Sequence, residues 1–288
     1  MVQPAWQNVL RRDRWIVLAA IVAVTAGAWA YVLWLAFGMT MPSEENATAM
    51  GAMRPAGTMS HIGHMGSMLA PVSTAWGATE FVFVLLMWTV MMIGMMTPSA
   101  APMLLIYARV ARDAAARGQP FAATAWFAGG YLLCWAGFAG IATSAQWALE
   151  RAALMDASTA RASAGVGAIV LLAAGLYQLT PSKNACLSQC QSPLFFIHRH
   201  GGFRRDPAGA FRLGLTQGVY CVGCCWALMA LLFVGGVMNV LWLAGLTILV
   251  LIEKLSPPGR VLPTIVGGAL TAAGMWLLAS SGIIRAFW

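Results

Sequence analysis

Apolar residues run along this 288-residue chain in long unbroken stretches, without the alternation or the narrow apolar stripe of soluble proteins. Seven of these stretches come close to the ~20 residues that an α-helix needs to cross a ~30 Å hydrocarbon layer. The pattern therefore predicts an all-α, polytopic transmembrane bundle of about seven helices, forming a single domain over residues 15–288. The predicted spans are 15–37, 76–97, 121–144, 164–181, 212–233, 236–251 and 261–282, of which the sixth is the shortest.

Composition agrees with this interpretation and excludes two other protein classes. Hydrophobic residues make up 60% of the chain and charged residues 9%, and the mean hydropathy is +0.75. A water-soluble or a disordered protein has far more charge and fewer apolar residues. The net charge of +8 would suggest nucleic acid in a soluble protein. Here the basic residues fall in the predicted loops, so we expect a lipid bilayer as partner and no nucleic acid.

The distribution of basic residues predicts how the chain is oriented. Residues 1–14 carry three arginines before the first span, which is too long for a signal-peptide core and is expected to remain as an anchor. With these residues in the cytoplasm, few of the 17 Lys and Arg residues face outwards. The positive-inside rule then predicts a cytoplasmic N-terminus and an outer C-terminus. The outward basic residues are Arg54, Arg151, Arg161 and Arg285.

The cysteines form the first candidate metal site. Cys186 and Cys190 lie in the predicted inner loop, 182–211, one helical turn apart. Cys221, Cys224 and Cys225 have the i, i+3, i+4 spacing that places three thiols on one face of the fifth predicted helix. Because the cytoplasm is reducing, free thiols beside it indicate metal binding or thiol exchange rather than structural disulfides. The alternative is that these are ordinary buried residues of small size.

Methionines supply a second set of soft ligands. Met92, Met95 and Met96 repeat the same spacing in the second predicted helix, where they serve either as packing residues or as a thioether path for Cu(I). Seven of the 18 methionines lie in the predicted outer loop, 38–75, together with His61 and His64. Thioether and imidazole groups suit copper, so this loop is predicted to collect copper ions. The alternative is a low-complexity linker.

Several enzyme and transporter classes are excluded by the motifs that the sequence lacks. It contains no Walker A loop, no Gly-x-Ser-x-Gly elbow, no His-Glu-x-x-His and no dinucleotide fingerprint. An ATP-driven pump is excluded for this chain alone, and we do not expect an enzyme, although thiol-redox activity stays open. Glu253 and Lys254, at the inner end of the sixth predicted helix, are expected at the membrane interface.

Three segments resemble a bacterial family of predicted metal-binding integral membrane proteins. They are WTVMMIGMMTPSAAPMLLIYAR at 88–109, YQLTPSKNACLSQCQSPLF at 177–195, and residues 214–254, which include GVYCVGCCWALM and GGVMN. The resemblance implies a membrane fold of several helices, a place in the bacterial inner membrane, and metal binding through the five clustered cysteines. The outer loop is not part of the resemblance, so its copper hypothesis depends on this sequence alone.

The leading hypothesis is a metal-binding membrane protein that handles copper, by transport or delivery, through Cys and Met ligands. Cu(I) is the expected ion and zinc the alternative, and a metallochaperone or another membrane protein is the expected partner. One rival hypothesis is a thiol–disulfide conduit, in which the helix cysteines exchange with Cys186 or Cys190. The other is a structural subunit of a larger membrane complex.

Overall fold

The computed structural model describes residues 5–40, 76–118, 122–156, 160–257 and 259–280. In this part of the chain the protein is a bundle of α-helices with one short antiparallel strand pair, so the predicted all-α class is confirmed. His61, His64 and most of the predicted outer loop lie outside the described residues. In chain order the elements are α1 (Ala5–Thr40), α2 (Ala78–Ala116), α3 (Thr124–Arg151), β1 (Met155–Asp156), β2 (Arg161–Ala162), α4 (Ala164–Leu179), α5 (Pro181–Gln191), α6 (Pro193–Arg199), α7 (Pro207–Ala230), α8 (Leu232–Gly235), α9 (Val240–Leu255) and α10 (Val261–Ser280).

Within the part of the chain that the structure describes, fewer helices than the seven predicted could cross a membrane. Within the described residues, five segments are long and apolar enough: Val17–Ala36, Ala78–Ala116, Thr124–Arg151, Pro207–Gly235 and Val261–Ser280. A sixth is reached if α4 and α5, which meet at a bend of 68°, form one broken span. The sixth predicted span corresponds to α9, which has only 16 residues and begins and ends about four residues later than predicted. The orientation of the chain stays a prediction.

Helix α2 is longer than the sequence indicated. The prediction ended it at residue 97, before two prolines, but it continues through Pro98 and Pro102 to Ala116. Proline removes a backbone donor and is tolerated in such a helix where neighbouring groups satisfy the backbone. Pro98 and Pro102 leave the carbonyls of Gly94 and Pro98 without an intrahelical amide partner, and the helix continues nevertheless. Nearby, the Tyr131 hydroxyl of α3 donates to the Met96 carbonyl at 3.1 Å. The helix therefore carries its methionines and the residues after them along one continuous axis.

The segment predicted as the start of the inner loop is a helix. Pro181 stands at the first position of α5, and the Thr180 side chain accepts from the Lys183 amide at 3.3 Å. Both features are typical of a helix start. The chain bends here and α5 folds back against α7. Cys186 and Cys190 therefore lie on a packed helix, which corrects the predicted loop position.

Two helix pairs approach each other closely through glycine. In the α3–α7 pair, a Cβ added at Gly130 would collide with the Phe211 carbonyl, and one at Gly214 with the Phe127 carbonyl. In the α4–α10 pair, a Cβ at Gly175 would lie 2.7 Å from the Thr271 amide nitrogen. Small residues allow this approach in membranes, where helices associate by close packing rather than by hydrophobic burial. The α3–α7 contact fixes the position of the cysteine-bearing α7.

Candidate metal centre

The three cysteines of α7 form a buried group of thiols. Cys221, Cys224 and Cys225 are each at most 2% exposed. The Cys224 and Cys225 thiols both donate to the Cys221 carbonyl, at 3.1 and 2.9 Å, because side chains three and four residues along a helix lie over the same turn. Cys190 of α5, which is partly buried, lies beside this group. We refer to Cys190, Cys221, Cys224 and Cys225 as the thiol group.

The sulfur atoms of Cys190 and Cys224 are 4.0 Å apart, although these residues lie on different helices. A soft metal ion bound to thiolates lies roughly 2.3 Å from each sulfur, so an ion fits between two atoms at this separation. The Gln217 side-chain amide lies 3.9 Å from the Cys190 sulfur. The donor set therefore consists of two facing thiols with a polar amide beside them, which suits a soft ion with few ligands.

The remaining predicted ligands do not close a larger site around this pair. Among the described residues, no three His, Cys, Asp or Glu side chains are arranged to hold a metal ion. Cys186 is turned towards Gly223, where an added Cβ would lie 3.0 Å from its sulfur. Zinc in structural sites takes four ligands in a tetrahedron. Among the described residues, these thiols do not form the four-ligand arrangement of a structural zinc site.

A lysine ammonium lies against the thiol group. Lys254 of α9 is 6% exposed, and its Nζ lies 2.8 Å from the Cys221 sulfur and 3.0 Å from the Ser99 hydroxyl. The Met96 thioether sulfur is 3.9 Å from the same nitrogen. On the other side of Cys221, its sulfur is 3.1 Å from the Tyr131 hydroxyl. An ammonium that is out of water requires a compensating partner, and the Cys221 sulfur is the closest of these atoms.

The neighbouring residue Glu253 faces a different set of partners. Its carboxylate forms an ion pair with Lys183 at 2.7 Å, with side-chain exposures of 2% and 0%, and accepts from the Gln178 amide at 2.9 Å. The Gln191 amide donates to the Glu253 carbonyl at 2.8 Å. Glu253 and Lys254 are thus buried between helices at the end of α9, and their place at the membrane interface stays a prediction. These contacts tie α4 and α5 to α9, and so hold the helix that carries Cys190.

The methionines of α2 are divided between the core and the candidate centre. Met92, Met95 and Met96 are each at most 2% exposed and belong to one apolar core. Met96 also reaches Lys254, as described above. Met92 and Met95 contact other residues of this core, and their role as Cu(I) ligands stays a prediction.

Sequence reasoning did not find the polar residues that surround the thiol group. Lys254, Ser99 and Tyr131 are spread over three helices, and Lys183 was assigned to a loop. One signal was present, because an ionisable residue next to an apolar span is a functional candidate by default. The Glu253–Lys254 dipeptide meets that criterion, but nothing local to it indicates a cysteine 33 residues earlier as its partner.

Comparison with protein families gives a match. The model of a family described as PpoB2, copper chaperone, matches residues 85–277, which is more than half of the chain. This region contains all six cysteines and the α2 methionines, and excludes His61 and His64. A copper chaperone family agrees with the metal-related part of the resemblance seen in the sequence. Searches of curated proteins and of solved structures give no significant match.

Proposed function

The chain belongs to the PpoB2 copper chaperone family, and on this basis we propose that it is an inner-membrane protein that binds Cu(I) at the thiol group and delivers it. The observation that carries the proposal is the 4.0 Å separation of the Cys190 and Cys224 sulfurs on two different helices. Thiolates select Cu(I), and two of them are enough to hold this ion. The proposed role is binding and transfer, without catalysis of a covalent reaction.

A site with few ligands suits delivery because the cargo must also leave. An ion held by two thiolates can accept a third from a partner and pass to it by ligand exchange, whereas a closed four-ligand site holds its ion. Cys190 is the partly exposed member of the thiol group and is the proposed point of exchange. The proposed partner is a metallochaperone or another membrane protein that presents thiolate or thioether ligands.

The Cys190→Ser/Cys224→Ser double variant tests this function. Wild-type protein is purified in detergent and loaded anaerobically with Cu(I). It is expected to retain about one copper per chain after desalting, because thiolates are soft ligands that select Cu(I). The double variant is expected to retain little, because a hydroxyl is a poor ligand for a soft ion. Metal content by mass spectrometry is the measurement. Cys134→Ser is the matched control, since this sulfur lies beside Gly218 and outside the thiol group.

Equal copper in the double variant and the wild type would contradict the proposed site. The same pair of sulfurs also favours a second candidate function, thiol–disulfide exchange, because they approach across two helices. A wild-type protein that fails to load copper, and that forms a Cys190–Cys224 disulfide on oxidation, would favour this second function. Zinc retained in place of copper would instead favour a structural ion.

The outer loop is proposed to collect copper before it reaches the thiols. His61→Ala/His64→Ala is expected to slow Cu(I) loading severalfold at low copper concentration, because weak imidazole and thioether ligands raise the local supply of the ion. The amount of copper held at saturation is expected to remain unchanged, since the thiol group retains its ligands. Stopped-flow loading with a chelator-buffered copper source measures both quantities. A lower saturation level would place these histidines in the binding site itself.

A further inference from the structure

We infer that a basic groove beside the start of α7 binds the headgroup of one anionic phospholipid, with an acyl chain lying along α7. The inference rests on the membrane location in the proposed function, and it adds a lipid ligand to the metal. The groove has a volume of about 440 Å³. The polar residues that line it are His200, Arg204, Asp206, Arg212 and Thr216, and we refer to it as the basic groove.

Two segments of the chain form the basic groove. Arg212 and Thr216 are four residues apart, so they lie on one face of α7. The other side is the turn after α6, where Gly201 adopts a φ of 84° that glycine allows. The Arg204 guanidinium lies over this turn and donates to the His200 carbonyl at 3.4 Å. The two arginines therefore reach the groove from different segments.

The basic groove has an excess of positive charge. Arg204 and Arg212 are always protonated, whereas Asp206 supplies one negative charge at most. The Asp206 carboxylate already accepts from the Gly209 amide at 2.6 Å as the cap of α7. Within the described residues, neither arginine forms an ion pair. Because His200 is either neutral or positive, the groove needs an anion to balance its charge.

The position of the basic groove along α7 favours a lipid over a soluble anion. The segment Pro207–Gly235 has 29 residues, or ~43 Å at the rise of an α-helix. This length exceeds the ~30 Å hydrocarbon layer, and the exposed Arg212 is unfavourable in hydrocarbon, so the excess is expected at this end. Two turns beyond Arg212, Val219 is 58% exposed and offers an acyl chain an apolar surface.

An anionic headgroup suits the basic groove better than a zwitterionic one. Phosphatidylglycerol carries a single negative charge, whereas phosphatidylcholine also brings a cation close to the arginines. Arg204→Gln/Arg212→Gln is expected to bind phosphatidylglycerol about 30-fold more weakly than wild type, since each basic residue at a headgroup contributes about fivefold. Both arginines are exposed, so the substitutions are expected to leave the fold intact.

The experiment titrates detergent-purified, delipidated full-length protein with phosphatidylglycerol or phosphatidylcholine and measures bound lipid by native mass spectrometry. The matched control is Arg109→Gln/Arg117→Gln, which removes the same charge from two exposed arginines outside the groove. This control is expected to keep the wild-type preference for phosphatidylglycerol. Glycerol phosphate, a headgroup without acyl chains, is added as a competitor and is expected not to displace the lipid at equal concentration.

Three results would overturn the inference. The first is a loss of less than about threefold in Arg204→Gln/Arg212→Gln, or an equal loss in the control, because the effect would then not belong to the groove. The second is displacement by glycerol phosphate, which would favour a soluble phosphate as the occupant. The third is a wild-type protein that binds both lipids equally, which would favour an acidic protein segment.

The copper content of the same samples separates this inference from the proposed function. Wild-type protein that prefers phosphatidylglycerol but does not retain Cu(I) would contradict the proposed copper role and leave the lipid site standing. Protein that retains Cu(I) without a lipid preference would overturn the lipid site alone.

Discussion

Glu253→Gln is expected to destabilise the protein by about 3–5 kcal/mol, because it leaves the Lys183 ammonium buried without its counter-charge. Lys183 is 0% exposed and Glu253 2%, and their charged atoms are 2.7 Å apart. Gln has one acceptor oxygen where the Glu253 carboxylate uses two, so either the Lys183 ammonium or the Gln178 amide also loses its hydrogen bond.

The measurement is unfolding in a graded detergent–SDS series, followed by circular dichroism. The control is Lys183→Met/Glu253→Gln, which removes both charges and is expected to recover more than half of the lost stability, since a pair replaced by uncharged groups often costs little. A double variant as unstable as the single one would show that the ion pair itself is not the cause.

Glu253→Gln is also expected to weaken copper binding, although Glu253 does not contact the thiol group in the described structure. Its carboxylate and its carbonyl hold Lys183 and Gln191, which are both on α5. Cys190 lies on the same helix and depends on it to face Cys224 at 4.0 Å. Loosening α5 therefore separates the two proposed ligands.

Gly130→Ala is expected to destabilise the protein by about 3 kcal/mol, near the upper end of the usual cost of overpacking. A Cβ at this position meets the Phe211 carbonyl of α7 and lies 2.8 Å from the Leu215 amide nitrogen. Both are backbone atoms, so α3 and α7 must move apart to admit the methyl group. The separation also draws Tyr131 away from the Cys221 sulfur.

Gly140→Ala on the same helix is the matched control. Nothing lies within 4 Å of a Cβ added there, so this change is expected to stabilise the helix slightly, by up to about 1 kcal/mol, through its higher helix propensity. Thermal unfolding of the two variants and the wild type in one detergent is the measurement. Equal stability of Gly130→Ala and Gly140→Ala would show that the α3–α7 contact is looser than described.

Helix existence was predicted well where an apolar stretch ends at a strong local signal. The last predicted span, 261–282, corresponds to Val261–Ser280, and the first, 15–37, contains Val17–Ala36. Errors arose where proline was taken as an end. At Pro98 the helix continues, whereas at Pro181 the chain bends and a new helix starts. Proline alone therefore does not predict whether a helix continues.

The candidate metal centre was likewise predicted only in part from the sequence. The sequence predicted which residue types suit a soft ion, and that Cys221, Cys224 and Cys225 share a helical face, because this depends only on spacing along a helix. It did not predict that Cys186 turns towards Gly223 while Cys190 faces Cys224. Those two residues have the same chemistry and lie one turn apart, so only the direction of α5 against α7 distinguishes them.

By itself, the sequence determined the membrane-type helices and the supply of soft ligands, because helix length, apolar character and residue chemistry are properties of short segments. The tertiary structure decided which ligands meet and what charge accompanies them. Cys190 and Cys224 are 34 residues apart, and Lys254 reaches Ser99 across 155 residues. Contacts at such separations depend on how the helices pack, and the closest packing follows from glycines that allow two backbones to touch.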